Sequence, residues 1–162
     1  MPSGTLQFDA KGHLMPYELI ETDWNSFENV FGWNEHRRDL ISMLRSFIFS
    51  LNKLSILTIT LWIDGSFVTK KEYPNDIDAV IVIPAFYHHR FEHQMRTLRD
   101  QYPHLDLYFV RLIEPGERNY FLYLSDRTQW FFQFTTTKPD RVTRTKFSKG
   151  FVQITWHDES IS

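Results

Sequence analysis

The densest chemistry in this sequence lies in Asp64-Gly65-Ser66-Phe67 and, after a short loop, Pro74-Asn75-Asp76-Ile77-Asp78. Asp76 and Asp78 are two apart at the opening of the apolar run Ala79-Val80-Ile81-Val82-Ile83, whose β-branched residues predict a strand. Strand geometry puts both carboxylates on one face, with Ile77, Ala79 and Ile81 on the other. Side-by-side carboxylates repel unless something neutralises them, and Mg²⁺ does so because it prefers hard oxygen ligands. In phosphoryl-type transfer such ions bridge nucleotide phosphates and activate the attacking oxygen. Gly65 permits a close backbone approach, and the Ser66 hydroxyl and amide are suited to a terminal phosphate. Asp106, near the start of a later predicted strand, supplies a third acid for the same face. Asp pairs also serve as turn and cap residues at strand starts, and a lone Asp-x-Asp is a weak signal. An Asp pair that opens a wholly apolar strand needs a partner, however.

These residues require a scaffold that brings strand ends together. Asn25 and Glu28 stand at capping-box spacing, which predicts a short helix ending near Gly32. A second helix start at Asn34 leads into Leu40, Ile41, Leu44, Phe47, Ile48, Leu51 and Leu54. That spacing predicts a helix over about 35–53, with Glu35, Arg37, Arg38 and Arg45 mostly off the apolar stripe. Residues 56–63 and 76–83 read as buried strands, His88 to Gln101 as a helix, and Leu105 to Val110 as a third strand. Residues 1–19 read as an irregular lead-in or a short edge strand. Beyond Gly116 the aromatic segments Tyr120–Leu124, Gln129–Thr136 and Gly150–Trp156 read as three more strands. The sum is one domain over residues 1–162, of the α+β class, with a mixed or antiparallel sheet packed against helices. Its core spans about 35–110, and a β-rich aromatic extension covers about 117–157.

Gly65-Ser66, a short loop and Asp76-Ile77-Asp78 together resemble the signature of the nucleotidyltransferase superfamily, the DNA-polymerase-β-like fold. The element order between about 35 and 110 is similar to that family's core. Phe31-Gly32-Trp33-Asn34-Glu35-His36-Arg37, Trp62 to Thr69 and Pro74 to Asp78 look like a family of small uncharacterised bacterial and phage nucleotidyltransferase-like proteins. That resemblance extends to Lys149-Gly150. It implies a nucleotidyltransferase-like sheet, in which Asp76, Asp78 and Asp106 are catalytic and bind Mg²⁺ or Mn²⁺. It further implies that Gly65 and Ser66 seat the phosphates of an NTP such as ATP. The acceptor it implies is a protein or an RNA, within a toxin–antitoxin or defence module for some relatives. The loop Phe67-Val68-Thr69-Lys70-Lys71-Glu72-Tyr73 departs from many small members, which carry Arg and another Gly there. Lys70 and Lys71 are left as the phosphate clamp, or as part of a solvated loop.

Other residues are open to two readings. Asp64 either orients the Gly-Ser turn or reaches a metal through water. Lys146 and Lys149 either bring positive charge to the acidic cleft or belong to a polar strand connection. Trp130, Phe132 and Phe134 share one face if extended, and that face either packs on the long helix or stacks a base or a protein partner. His88 and His89 do not share a helix face; His89 and His93 do, but lack a third ligand for zinc.

Composition narrows the field further. The chain has 162 residues, 42% hydrophobic and 23% charged, so it has the makings of a full core without disulfides. Aromatic residues reach 17%, more than a small core commonly uses, which leaves rings to face a partner or a ligand. A net charge of −2 argues against wrapping duplex DNA. The absence of cysteine excludes thiol catalysis and Cys-based metal sites. No apolar run is of membrane-spanning length and no signal peptide is evident, so a cytoplasmic location is expected. Walker, Gly-x-Gly-x-x-Gly, Gly-x-Ser-x-Gly and HExxH motifs are all missing. The acid constellation and the family it resembles imply metal-dependent nucleotidyl transfer, or a catalytically inactive relative that works through protein–protein interaction.

Overall fold

A computed structural model describes residues 6–157. The chain opens with a small hairpin, β1 (Gln7–Phe8) and β2 (Leu14–Met15), and then β3 (Leu19–Thr22). Helices α1 (Trp24–Phe31) and α2 (Glu35–Lys53) follow, then β4 (Thr58–Asp64), a 3-10 turn (Gly65–Val68), β5 (Ile77–Pro84) and α3 (Ala85–Asp100). The last elements are β6 (Leu105–Leu112), α4 (Tyr120–Phe134) and β7 (Phe151–His157). The main sheet has the order β3-β7-β4-β5-β6. Its strands are parallel at both margins and antiparallel at the β7–β4 and β4–β5 seams. The architecture is thus α+β with a mixed sheet.

Alternation along the strands builds two hydrophobic layers. Leu61, Ile63, Ala79, Ile81, Leu107, Val152 and Ile154 face α1, α2 and α3. Trp62, Val80, Val82, Val110 and Phe151 face the other way, onto Trp130, Phe131 and Phe134 of α4. Strands covered on both faces read as unbroken apolar runs, as β4 and β5 do. The stripe of α2 is buried from Leu40 to Leu51, and each such side chain contributes about 1.5–3 kcal/mol relative to exposure.

The helix over 35–53 forms as its spacing predicts, with Asn34 Oδ1 accepting from the Arg37 N–H at 2.8 Å. In α1 the cap is Asp23, which accepts from Ser26, rather than Asn25. Helix α3 starts at Ala85, earlier than the His88 expected, directly after Pro84. The larger correction concerns the C-terminal third. Tyr120–Leu124 and Gln129–Thr136 are not strands; the first and the second as far as Phe134 belong to α4, Ser125-Asp126-Arg127 lies within that helix, and Thr136 makes only an isolated bridge to Ser148. The Trp, Tyr and Phe residues that suggest β-structure pack here at helical spacing, with Tyr123, Trp130, Phe131 and Phe134 against the sheet. The β-rich extension therefore reduces to β7, which is inserted between β3 and β4 and belongs to the main sheet. Residues 1–5 of the expected lead-in lie outside the described residues.

Candidate functional site

Sheet register creates the site. Asp64 ends β4 and pairs with Asp78 of β5, and Asp78 pairs in turn with Asp106 of β6. By alternation all three lie on the α4 side, where the carboxylates continue the rows of Trp62, Val80 and Tyr108 past the end of the helix's cover. Asp76 stands just before β5, half-buried.

Crowding governs the protonation of this row. Asp78 is pushed up to about 7, first by burial, then by a hydrogen bond with Asp106 and by the charges of Asp76, Asp106 and Asp64. A hydrogen bond between two carboxyl groups requires a shared proton, which relieves part of the repulsion. Asp64 is pushed up to about 6 by burial, which outweighs the opposing charge and hydrogen bond of Lys149 and the Gly65 N–H. The Lys149 ammonium donates to Asp64 Oδ1 in a buried ion pair. Tyr108 donates its hydroxyl to Asp106 Oδ2 at 3.4 Å, and the Asp106 charge raises the phenol's pKa.

Gly65 is dictated by two constraints. Its φ is +77°, which favours glycine, and a Cβ there would stand 1.9 Å from Asp78 Oδ2. The Asp78 carboxylate thus rests against the glycine's bare Cα. The 3-10 turn that follows carries Ser66 at the cleft wall and is anchored by the buried Phe67 and Val68.

Arg37, expected off the apolar stripe, is completely buried. Its guanidinium donates to the carbonyls of Phe31 (3.1 Å), Phe67 (2.7 Å), Thr69 (2.9 Å) and Lys71 (2.6 and 3.1 Å). It also lies 3.6 Å from the ring centre of Trp33. Burial lowers its pKa to about 10, still well above neutrality, so it remains a cation. Asn34 donates to the Glu72 carbonyl at 2.7 Å, and His36 bonds that of Pro74. The start of α2 therefore ties down the whole loop between the Gly-Ser turn and the Asp pair. The sequence signal was the Phe31–Arg37 segment itself, whose role becomes evident only once the loop folds over it.

A cleft of about 1140 Å³ gathers Asp64, Asp76, Asp78, Asp106, Gly65 and Ser66, together with Lys70, Lys71, Lys146 and Lys149. Every site residue expected from the sequence lies on this cleft. Lys70 and Lys71 are both solvent-exposed, and the Lys70 ammonium lies 4.7 Å from the Phe8 ring centre and 5.5 Å from that of Trp33. Sequence reasoning missed the Lys149–Asp64 pair and the cleft-lining Tyr108. The expected strand face of Trp130, Phe132 and Phe134 is also corrected: in a helix Phe132 is not in line with the other two, and it is 74% exposed although it borders the same cleft. Among the described residues, no three His, Cys, Asp or Glu side chains already stand in a metal-coordinating arrangement. No helix among them is long and apolar enough to cross a membrane.

A model of a family of unknown function (DUF6932) matches residues 6–155, nearly the whole described chain. The chain belongs to that family. No curated protein and no solved structure matches it. The matched span runs from the first hairpin into β7, so it includes both the mid-chain acid row and Lys149, which are distant in sequence but share the cleft.

Proposed function

We propose that this chain is a divalent-metal-dependent nucleotidyltransferase, with a nucleotidyltransferase-type sheet, that uses an NTP as donor and a protein or RNA hydroxyl as acceptor. The observation that carries this reading is the register that sets Asp78 beside Asp106 while pressing it against Gly65 of the Gly-Ser turn. The donor set fits Mg²⁺ or Mn²⁺: it is all oxygen, strongly anionic, and holds a proton on Asp78 that leaves near neutral pH. Asp76, Asp78 and Asp106 would hold the ion, which when bound neutralises phosphate charge and makes the attacking oxygen a better nucleophile.

The chain's own groups have the remaining tasks. Gly65 and Ser66 seat the β- and γ-phosphates, and Lys70 and Lys71 on the Arg37-braced loop bring positive charge to them. Asp106, at the exposed edge of the row, takes the proton from the acceptor hydroxyl. That oxygen forms its bond to the α-phosphorus as the bond to the α–β bridging oxygen breaks, and pyrophosphate leaves. Positioning and electrostatics suffice for such chemistry, so rigid placement of the row matters more than any single base.

Purified full-length protein incubated with each α-labelled NTP, Mg²⁺ or Mn²⁺ and cell lysate should transfer label to protein or RNA. Transfer should vanish without divalent ion, and with Asp76→Asn or Asp78→Asn. Labelling that persists in both variants overturns the proposal. A second reading, an inactive relative acting by protein–protein interaction, is favoured by Phe121 and Phe132, which are 66% and 74% exposed on α4. In that case Asp78→Asn would keep the biological effect, and Phe121→Ser with Phe132→Ser would lose it.

A further inference from the structure

The wall of the cleft beside the acid row is aromatic. Tyr108 on β6 and Trp130 on α4 both line it, with ring centres 5.0 Å apart and planes inclined by 47°. Trp130 is braced by Phe134 at 5.4 Å, and Phe134 by Phe151 of β7 at 5.4 Å. Tyr108 is 43% exposed, and its hydroxyl is tied to Asp106. The pair is thus a surface-accessible ring against a half-buried Trp130 that the buried Phe134 backs, with one hydrogen bond to a member of the acid row. Gln133 lines the same cleft and carries both a hydrogen-bond donor and an acceptor.

A ligand that fills this cleft must satisfy lysines and carboxylates at one part and flat rings at another. A polyphosphate alone satisfies only the first. An apolar peptide satisfies only the second, and would leave the carboxylates and lysines desolvated without partners. A nucleotide satisfies both. We propose that Tyr108 and Trp130 form the platform on which the heterocyclic base of the nucleoside triphosphate stacks, with Gln133 available to the base edge. The inference rests on the nucleotidyl-transfer reading for the phosphate end, and adds to it that the base itself is bound.

Stacking of a base on an aromatic side chain is tolerant of base identity. Specificity among the four bases therefore falls to edge contacts, while the presence of a base matters strongly. The test is calorimetric titration of the full-length protein, in Mg²⁺, with ATP, GTP, CTP and UTP and with inorganic tripolyphosphate as the probe lacking a base. At least one NTP should bind more tightly than tripolyphosphate by about 5- to 100-fold. Tyr108→Ala should remove most of that advantage, whereas Tyr108→Phe, which loses the same hydrogen bond to Asp106 but keeps the ring, should retain it. Trp130→Leu, which preserves apolar contact with Phe134, should act like Tyr108→Ala. Equal binding of tripolyphosphate and every NTP overturns the base platform while leaving the phosphate end intact. An NTP advantage that survives both Tyr108→Ala and Trp130→Leu overturns it as well. Failure of all five compounds to bind overturns this inference together with the reading beneath it.

Discussion

The two faces of the main sheet are made by the same strands and do opposite work. The face under α1, α2 and α3 is closed and dry, with Leu44, Phe47, Ile48, Ile63, Ala79 and Ile81 essentially inaccessible. The face under α4 is covered only in part. Past the end of that cover the alternating positions become Asp64, Asp78 and Asp106 instead of Trp62, Val80 and Tyr108. Both faces bury apolar side chains, but only the α4 face gives way, at one end of β4, β5 and β6, to charge. Charge that repels itself is tolerable at the open rim because the closed side stabilises the strands that carry it.

The largest effect should come from breaking the closed face. Phe47→Ala removes a fully buried ring that packs against Tyr102 and Phe109, and should cost about 3–5 kcal/mol. Chemical denaturation read by circular dichroism would check this. A loss under 1 kcal/mol would mean that the α2 layer is not the principal support.

Next is the contact where backbone and acid row meet. Gly65→Ala meets both an unfavourable φ and the Asp78 carboxylate, so it should cost about 1–3 kcal/mol and disable transfer. A fully active, equally stable Gly65→Ala protein would show that Asp78 does not need its place against the turn.

The smallest effect has the opposite sign. Asp78 holds its proton up to about pH 7 in the folded chain, against an ordinary value of 3.8. Between these values the folded state binds a proton that the unfolded state has released, so stability is withdrawn as pH rises through that window. Asp78→Asn should therefore stabilise the chain at pH 8 by about 1–2 kcal/mol, after allowance for solvent screening. That corresponds to a Tm increase of about 2–8 °C, and the difference should fade toward pH 4. A Tm that falls at pH 8 would mean that the row is not self-repelling.

The closed face was the more legible of the two in sequence. The α2 stripe declares itself through apolar periodicity and β4 and β5 through unbroken apolar runs, and the acid pair stands out because it opens such a run. What eluded the sequence depends on distant partners. Arg37 looks like a surface charge until carbonyls from residues 67–71 fold around it. Lys149 and Asp64 are 85 positions apart, and nothing local pairs them. Helix α4 is hidden by its own exposed Phe121, Leu122, Leu124 and Phe132, which blur the spacing of the few residues that touch the sheet. Strong β-propensity then favours the wrong secondary structure, and only packing on Trp62 and Phe151 overrides it.

The central claim is that Asp76, Asp78 and Asp106 act together on a divalent cation, and this can be measured without knowing the acceptor. Mn²⁺ titration followed by electron paramagnetic resonance, with NTP present, should show saturable binding to the unmodified chain. Asp78→Asn and Asp106→Asn should each weaken it by about tenfold or more, since loss of even an outer-sphere partner commonly costs that much. Mn²⁺ binding that is unchanged in both variants would contradict the account.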